Sequence, residues 1–524
     1  MPEGGFVSLV GAGPWDPELL TLAARDRIRR ADVLIVDYLV NPAVLMHARG
    51  DAKVFQRARG PHESAGLRLD QARVNALMVE HAQAGARVVR LKGGDPMVFG
   101  RGAEEARYLR ERGVDFEFVP GVSSPIAAPE AAGIPITHRD HTPSVSFVSG
   151  YEAYEKAGLA VAWDHLAQSA GTLVLMMSVK NARTNADKLI AAGREPSTPA
   201  AVVRWGTRGI QQTVVGSLAD IAERMAEAGI RAPAVMIVGD VVGLREHIAW
   251  IERRPLFGRR VVVTRAARQA GGLVHELAAA GADAVAFPCL DFVDPGEEAR
   301  AAIDRALSRE SLASLRGVIV SSPNAADALF EALDRLELDV RSLAHLQVAA
   351  IGTGTARRCQ ARGLRPDIIP DRARAEGLID ALDARGLLGA RWLQIRADEG
   401  RALLGRAIAA AGGELVLTVG YRTIRPEVPA LLLRSLRAAA DGGEGFDAVA
   451  FASGRTARHF LETLGEGLGE DEARALLAAA KVVAIGPVTA DAIAALGVRV
   501  DAVSKTPSEA GVVAAIVECL KSTA

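Results

Sequence analysis

Residues 90–102 read RLKGGDPMVFGRG, a strand-like run that breaks at two glycines. A loop that cradles phosphate spaces its glycines as GxxxxGK[ST], with lysine after the last one. Here Lys92 precedes Gly93 and Gly94, and Asp95 and Pro96 follow them. A carboxylate aimed into an anion site repels its ligand, so this loop suits something other than a phosphate. GAGPWDP (11–17) also fails as a dinucleotide fingerprint, because GxGxxG needs glycine where Asp16 stands. His138 and His141 stand three apart with no third ligand in view, so no metal site is expected. Cys289, Cys359 and Cys519 lie far apart and form neither ligand spacing nor a disulfide framework, as suits a reducing compartment.

The elements that must hold these residues follow from the apolar runs. FVSLV (6–10), DVLIV (32–36), RVVRL (87–91), FEFV (116–119), VSFVS (145–149) and TLVLM (172–176) read as strands. Most are too apolar to have one wet face, which predicts sheets covered on both sides in an α/β fold. DPELLTLAARDRIRRAD (16–32) predicts a helix with Asp16 as N-cap and Pro17 in its first position. Open α/β sheets bind ligands beyond the carboxyl ends of their strands. GAGPWDP, Asp37, KGGDP, PGVSS and Met177 all fall at such ends.

Bulk composition narrows the function. A chain of 524 residues should divide into about three or four units. Net charge is −1, so no global field draws the chain to nucleic acid or a membrane, and anionic ligands need local cations. No apolar run reaches the roughly 18 residues that span a bilayer, and MPEGGFVSLVGAG lacks the basic region of a signal peptide. A cytoplasmic protein is expected. The charge run REHIAWIERRPLFGRR (245–260), with Pro255 and Gly258, predicts a boundary: a first domain over 1–245, a linker at 246–255 and a second domain over 256–524.

The second half repeats itself. RRVVVTRAARQ (259), LRGVIVSSPNA (315) and VAAIGTGTARR (348) are echoed by ARWLQIRADEG (390), FDAVAFASGRT (446) and VVAIGPVTADA (482), at offsets of 131, 131 and 134 residues. Three segments in one order at nearly one offset predict two similar doubly wound α/β lobes with a ligand cleft between them.

GAGPWDPELLTL, ADVLIVDYLV, RLKGGDPMVFGRGAEE, PGVSSPIAAPEAAGIPITHRDH and VVRWGT together resemble uroporphyrinogen-III C-methyltransferase, a tetrapyrrole methylase that uses S-adenosylmethionine. The likeness runs over residues 6–245. It implies a two-lobed α/β fold with the cofactor between the lobes, a homodimer through this half, and double methylation of uroporphyrinogen III to precorrin-2. The cofactor has no phosphate. Gly93 and Gly94 would let the backbone approach it, and Asp95 would accept its hydrogen bonds. The family's cofactor contacts fall on Pro14, Gly93, Gly94, Asp95, Val98, Ser123, Ser124, Met177 and Gly206. Its catalytic base falls on Asp37, which could otherwise be a helix cap. Met177 on its apolar run reads equally as core. The substrate carries eight carboxylates, for which Arg57, Arg59, Arg101 and Arg139 are the candidate partners. Two departures stand out. QRARG occupies the place of the family's lysine proton donor, and arginine is a poor acid. Trp15 stands where the family has glycine, and either narrows the cofactor mouth or covers a loop.

PLFGRRVVVTRAARQAGGLVHELAAAGADAVAFP, VIVSSPNA, VGYRT, FASGRTARHF and VAIGPVTA resemble uroporphyrinogen-III synthase over 256–520. That likeness implies lobe one over 256–289 plus 425–524, lobe two over 290–424, and crossings at AVAFPCLDF and ELVLTVGYR. Hydroxymethylbilane would close to uroporphyrinogen III with loss of water. Tyr421 is the implied proton donor, though it could simply pack in the crossover. Arg265, Ser322, Ser453, Thr456 and Thr489 are the implied substrate contacts. Three rivals differ in class. They are a non-catalytic ligand-binding second half, a methylase acting elsewhere on a corrin ring, and a nucleotide-dependent oxidoreductase, which the broken fingerprint disfavours.

Overall fold

The computed structural model describes residues 5–56, 69–151, 161–168, 171–400, 402–428, 430–437 and 445–521. Arg57 and Arg59 therefore lie outside the described residues. The chain forms two compact units, Met1–Phe287 with Pro429–Ala524, and Pro288–Val428.

The first half is built on two sheets. In the first, β1 (Phe6–Gly11), β2 (Val33–Val36), β3 (Lys53–Gln56), β4 (Arg87–Lys92) and β5 (Asp115–Val119) lie in the order β3-β2-β4-β1-β5 with every pairing parallel. Their unbroken apolar runs feed two cores. Val7 and Leu9 of β1 and Val33 and Ile35 of β2 cluster with Val74, Leu77 and Met78 of the helix Gln71–Gln83. Val10, Leu34 and Val36 join Ala24 and Ile28 of the helix Leu22–Arg30 instead. Adjacent residues on a strand face opposite ways, so a run of four apolar residues serves both sides.

The segment after β1 departs from the sequence-based expectation. Asp16 caps only a 3-10 turn, Pro17–Leu19, accepting the Glu18 N–H at 2.9 Å. The α-helix starts at Leu22, where Thr21 Oγ1 accepts the Ala24 N–H at 3.1 Å. Thr21 supplies a second cap directly before the amphipathic run, and the helix nucleates there.

The second sheet is mixed. β6 (Val145–Ser149) and β7 (Thr172–Met176) pair in parallel. β8 (Pro199–Arg204), β9 (Gln212–Ser217) and β10 (Ala234–Val238) were not among the expected strands, and they complete the order β6-β7-β10-β8-β9 through antiparallel pairings. The expected linker at 246–255 is folded onto the first half. The Trp250 indole N–H donates to the Glu130 carbonyl at 3.2 Å, and Arg245 pairs with Glu252.

In the second half, β11 (Arg260–Val263) and β12 (Asp283–Ala286) precede β13 (Asp291–Val293), β14 (Gly317–Val320), β15 (Gln347–Ala350), β16 (Arg391–Ala397) and β17 (Glu414–Ile424). β18 (Ala448–Phe451), β19 (Lys481–Ala484) and β20 (Ala502–Val503) follow. One sheet runs β12-β11-β18-β19-β20, the other β13-β17-β16-β14-β15. The offsets make β16 and β17 the equivalents of β11 and β12, and β18 and β19 the equivalents of β14 and β15. The shared order is therefore the same in both sheets, yet each takes its front strands from one copy and its back strands from the other. The repeats have exchanged halves. Among the described residues, no helix is long and apolar enough to cross a membrane.

Candidate active site

A cavity of about 520 Å³ opens in the first half between the strand-end loops. Its walls carry Trp15, Tyr38, Phe99, Tyr151 and Trp205, with Met176, Met177 and Lys180. Of the residues expected to meet the cofactor, Pro14, Gly93, Gly94, Val98, Ser123, Ser124, Met177 and Gly206 all line it. Two loops form its floor by pairing with each other. The Gly13 N–H donates to Gly94 O at 3.2 Å, and the Gly94 N–H to Gly13 O at 2.8 Å. Gly94 has φ +69°, a backbone that favours glycine. At Gly206 the constraint is space, since a β-carbon there would lie 2.4 Å from Ala128 Cβ.

Asp95 does something other than line the wall. Its Oδ1 accepts the Met97 N–H at 2.7 Å and its Oδ2 the Gly121 N–H at 3.1 Å. It is not a lining residue but ties the KGGDP loop to PGVSS, where Ser123 and Ser124 begin the helix Ser124–Ala131. The acidic residue that disqualified a phosphate loop is used to hold backbone.

The backbone around the cavity is strained. Trp15, Phe99, Met177 and Trp205 have φ of 99°, 52°, 55° and 54° and all line it; Arg101 and Thr207 lie two residues from Phe99 and Trp205. Among the described non-glycine residues only Glu337 shares this backbone elsewhere. Left-handed conformations of bulky side chains cost energy and persist where surrounding contacts enforce them, most often at functional sites.

Asp37 follows β2, directly before Tyr38 and Leu39 of the cavity wall. Its Oδ1 accepts from Arg90 at 2.6 Å. The Arg90 side chain is fully buried and also meets Glu105 at 3.1 Å, while Lys92 donates to both Glu105 oxygens at 3.0 and 2.9 Å. Gln71 adds a hydrogen bond to Glu105 at 2.9 Å. Two cations and two carboxylates thus balance beneath the site. Burial pushes the Lys92 ammonium below its ordinary range, helped by the Arg90 charge. Burial pulls the Arg90 guanidinium the same way, but Asp37 and Glu105 outweigh it and hold it above its ordinary value.

The substrate arginines are less gathered. Arg101 is exposed and pairs with Glu104 at 2.6 Å, and Arg139 is exposed on the turn that follows His138. Neither lines the cavity. In the second half, the Tyr421 hydroxyl lies 3.0 Å from Ser322 Oγ and its ring meets Phe292 edge-on. Ser322 caps the helix Pro323–Arg335, accepting the Ala325 N–H at 3.1 Å. Ser453, its equivalent in the repeat, caps the helix Gly454–Leu468 in a capping box with Thr456. The side chains of Ser453 and Thr456, expected to meet substrate, are thus engaged in ending that helix. Arg265 pairs with Glu509 at 2.8 Å, and Thr489 is buried near the start of the helix Pro487–Ala494.

Comparison with known proteins fits this arrangement. Residues 7–222 match the family described as tetrapyrrole (corrin/porphyrin) methylases, and residues 272–514 match uroporphyrinogen-III synthase HemD. The uroporphyrinogen-III C-methyltransferase of Bacillus subtilis (strain 168) is 37% identical over 65% of this chain and 68% of its own length. The porphyrin biosynthesis protein HemD of Ruminiclostridium josui is 34% identical over 70% of this chain and 72% of its own. The S-adenosyl-L-methionine-dependent uroporphyrinogen III methyltransferase of Methanosarcina barkeri (strain Fusaro / DSM 804) is 46% identical over 46% of this chain and 94% of its own.

The chain belongs to the uroporphyrinogen-III C-methyltransferase family. A uroporphyrinogen-III synthase half follows the methyltransferase half, and both serve tetrapyrrole biosynthesis.

Within the methyltransferase half, sequence reasoning missed Tyr38, Phe99, Tyr151, Lys180 and Trp205 as wall residues. Tyr38 and Phe99 sit inside quoted motifs and were within reach. Trp205, in the loop between β8 and β9, sits beside Gly206 in VVRWGT and was equally within reach. The buried partners Arg90 and Lys92 carried a usable signal, because charges inside an otherwise apolar strand need partners. Trp15 lines the cavity and meets Trp205 edge-on at 5.9 Å, so its indole is wall rather than a loop cover.

Proposed function

We propose that the first half methylates uroporphyrinogen III twice, using S-adenosylmethionine, to give precorrin-2, and that the second half closes hydroxymethylbilane to uroporphyrinogen III with loss of water. The composition of the cavity carries the first reading. It has five aromatic rings, two methionines and one lysine, and no carboxylate among its described lining residues. Aromatic faces stack on a purine and attract a sulfonium. Lys180 can meet the carboxylate at the amino-acid end of the ligand. A pyrophosphate would call for more cations than this wall offers. When bound, the cofactor supplies a methyl group on a positive sulfur.

The chain's own residues do the rest. Gly93, Gly94, Pro14, Ser123 and Ser124 orient the ligand, Gly206 leaves it room beside Ala128, and Asp95 holds two of the loops together. Asp37 takes the proton released as the pyrrole carbon is alkylated, its carboxylate oriented by Arg90. Arg57, Arg59, Arg101 and Arg139 are the candidates for the substrate carboxylates.

In the second half the hydroxyl of the terminal hydroxymethyl group leaves as water, protonated by Tyr421; its carbon bonds to the pyrrole at the other end of the chain, that ring is inverted, and the proton it gives up returns to the phenolate. Ser322 links that phenol to the start of a 13-residue helix, whose partial positive charge favours the phenolate left behind. Arg265, Ser322, Ser453, Thr456 and Thr489 are the candidate substrate contacts. We expect a homodimer through the methyltransferase half, which light scattering would test. We also expect a cytoplasmic location, in keeping with the lack of any disulfide at Cys289, Cys359 and Cys519 among the described residues.

The test is direct. The full chain incubated with hydroxymethylbilane and S-adenosylmethionine should yield a doubly methylated type III macrocycle. Uroporphyrinogen III without added methyl groups would sink the first activity, and closure to the type I isomer at the spontaneous rate would sink the second.

A further inference from the structure

The cavity wall of the methyltransferase half is braced from the synthase half. Arg208 follows β8 in the loop that carries Trp205 and Gly206, and its guanidinium carbon lies 4.3 Å from both the Trp15 and the Trp205 ring. The guanidinium is all but removed from water, with 1% of the side chain exposed. Its carboxylate partner is Asp283, the first residue of β12, met in a fork at 3.0 and 2.8 Å. Asp283 is itself 4% exposed and also meets Arg260 of β11 at 3.2 Å. The two chain segments touch closely here. The Gly258 N–H donates to Gly209 O at 2.7 Å, and a β-carbon on Gly209 would lie 2.1 Å from the Asp283 nitrogen.

We infer that Asp283 is a positioning residue for methyl transfer. By fixing Arg208 against the touching pair Trp15 and Trp205, it sets the shape of the cofactor wall from the other half of the chain. The physical chemistry favours this over a passive contact. A planar guanidinium bound in a fork by a buried carboxylate has one orientation, and it holds two indole faces against itself. Both indoles sit on left-handed backbone, which does not hold itself. Thr207 Oγ1 donates to the Pro14 carbonyl at 2.7 Å, so the loops bearing Trp205 and Trp15 move as one. The fork requires the carboxylate, and the carboxylate comes only with the synthase half. The two halves are thereby coupled in structure: the wall of the methyltransferase cavity of this chain is braced by β12 through Arg208.

This inference rests on the cofactor reading above and is tested on the full chain with S-adenosylhomocysteine and calorimetry. Asp283→Asn should weaken binding by about 3- to 30-fold, the range over which a residue without ligand contact modulates a site. Trp15→Gly supplies the control, since glycine accepts φ 99° without strain. In the Trp15→Gly background the further loss from Asp283→Asn should shrink to less than twofold, because one of the two indoles that Arg208 holds is already gone. If Asp283→Asn does not fold, Arg208→Gln takes its place in the same cycle, since Asp283 then keeps Arg260. A loss below threefold, or an equal loss with and without Trp15, would overturn the coupling. Wild-type chain that bound no S-adenosylhomocysteine would overturn the cofactor reading and this inference with it.

Discussion

Replacing Arg90 by methionine tests the buried charge network beneath Asp37. The substitution keeps much of the side-chain length but removes the cation that serves Asp37 at 2.6 Å and Glu105 at 3.1 Å. Lys92 remains on Glu105, so the loss falls chiefly on Asp37, whose side chain is 21% exposed. Removing one partner of a buried pair typically costs about 3–5 kcal/mol. The compact unit that holds Arg90 is larger than the 150–250 residues at which about 2–4 °C of melting temperature goes with each kcal/mol, so about half that shift applies and a fall of about 3–10 °C is expected. Calorimetry of the full chain is the assay, and the relevant transition is the one that S-adenosylhomocysteine shifts upward. Asp37→Asn removes in advance the charge that Arg90 meets. In that background the cost of Arg90→Met should drop by about 1 kcal/mol or more, whereas independent sites add within about 0.5 kcal/mol. A cost below about 1 kcal/mol for Arg90→Met alone, or strict additivity with Asp37→Asn, would refute the claim that these residues act as one network.

Three further outcomes are expected. Gly206→Val should weaken S-adenosylhomocysteine binding at least about tenfold, because its β-carbon would start 2.4 Å from Ala128 Cβ on the cavity wall; titration calorimetry checks this, and unchanged affinity would free Gly206 from the site. Tyr421→Phe should slow ring closure about tenfold, short of the 10²–10⁴-fold that a lost general acid can cost, because holding the chain supplies much of the rate; an unchanged rate in a stopped assay removes Tyr421 from the mechanism. Burial raises the Asp283 carboxyl, but Arg208 and Arg260 pull it below its ordinary value of 3.8. A depressed carboxyl contributes stability that is present above its unfolded value and is lost as pH falls through the folded one. Melting temperature should therefore fall more steeply below about pH 4 in the wild type than in Asp283→Asn, and parallel curves would contradict the pairing.

The methyltransferase loops were legible because a ligand at strand ends leaves residue types that packing does not ask for. KGGDP and PGVSS fall where a parallel sheet would simply turn, and they line the cavity through Gly93, Gly94, Ser123 and Ser124. Asp95 was legible as unusual but not in its role, since a sequence does not reveal that the N–H of Gly121 waits for its second oxygen. Thr21 overruled Asp16 as helix cap because both have the right chemistry and only the packing of Ala24 and Ile28 decides between them. β8 to β10 went unread because the alternation expected of parallel units does not describe a mixed sheet. The repeat was plain at its offsets, yet which copy pairs with which is settled by long-range register, as between Val261 and Ala448, or Val318 and Leu393.

Four residues of the cavity wall share one physical property that a sequence does not display. Trp15, Phe99, Met177 and Trp205 occupy a backbone region where sequence rules expect glycine or asparagine. Local preference and tertiary structure conflict at these positions, and tertiary structure wins through the Gly13–Gly94 bridge, the Thr207–Pro14 hydrogen bond and the Arg208–Asp283 fork. Each restraint spans a large distance in sequence, and the last comes from β12. A wall held in this way is set before ligand arrives, so less ordering is left to oppose binding. It also follows that the cavity depends on contacts no single motif contains. Trp15 makes the point most sharply: as a departure from the family's glycine it reads as a local oddity, and only beside Arg208 does it become part of a joint between two enzymes.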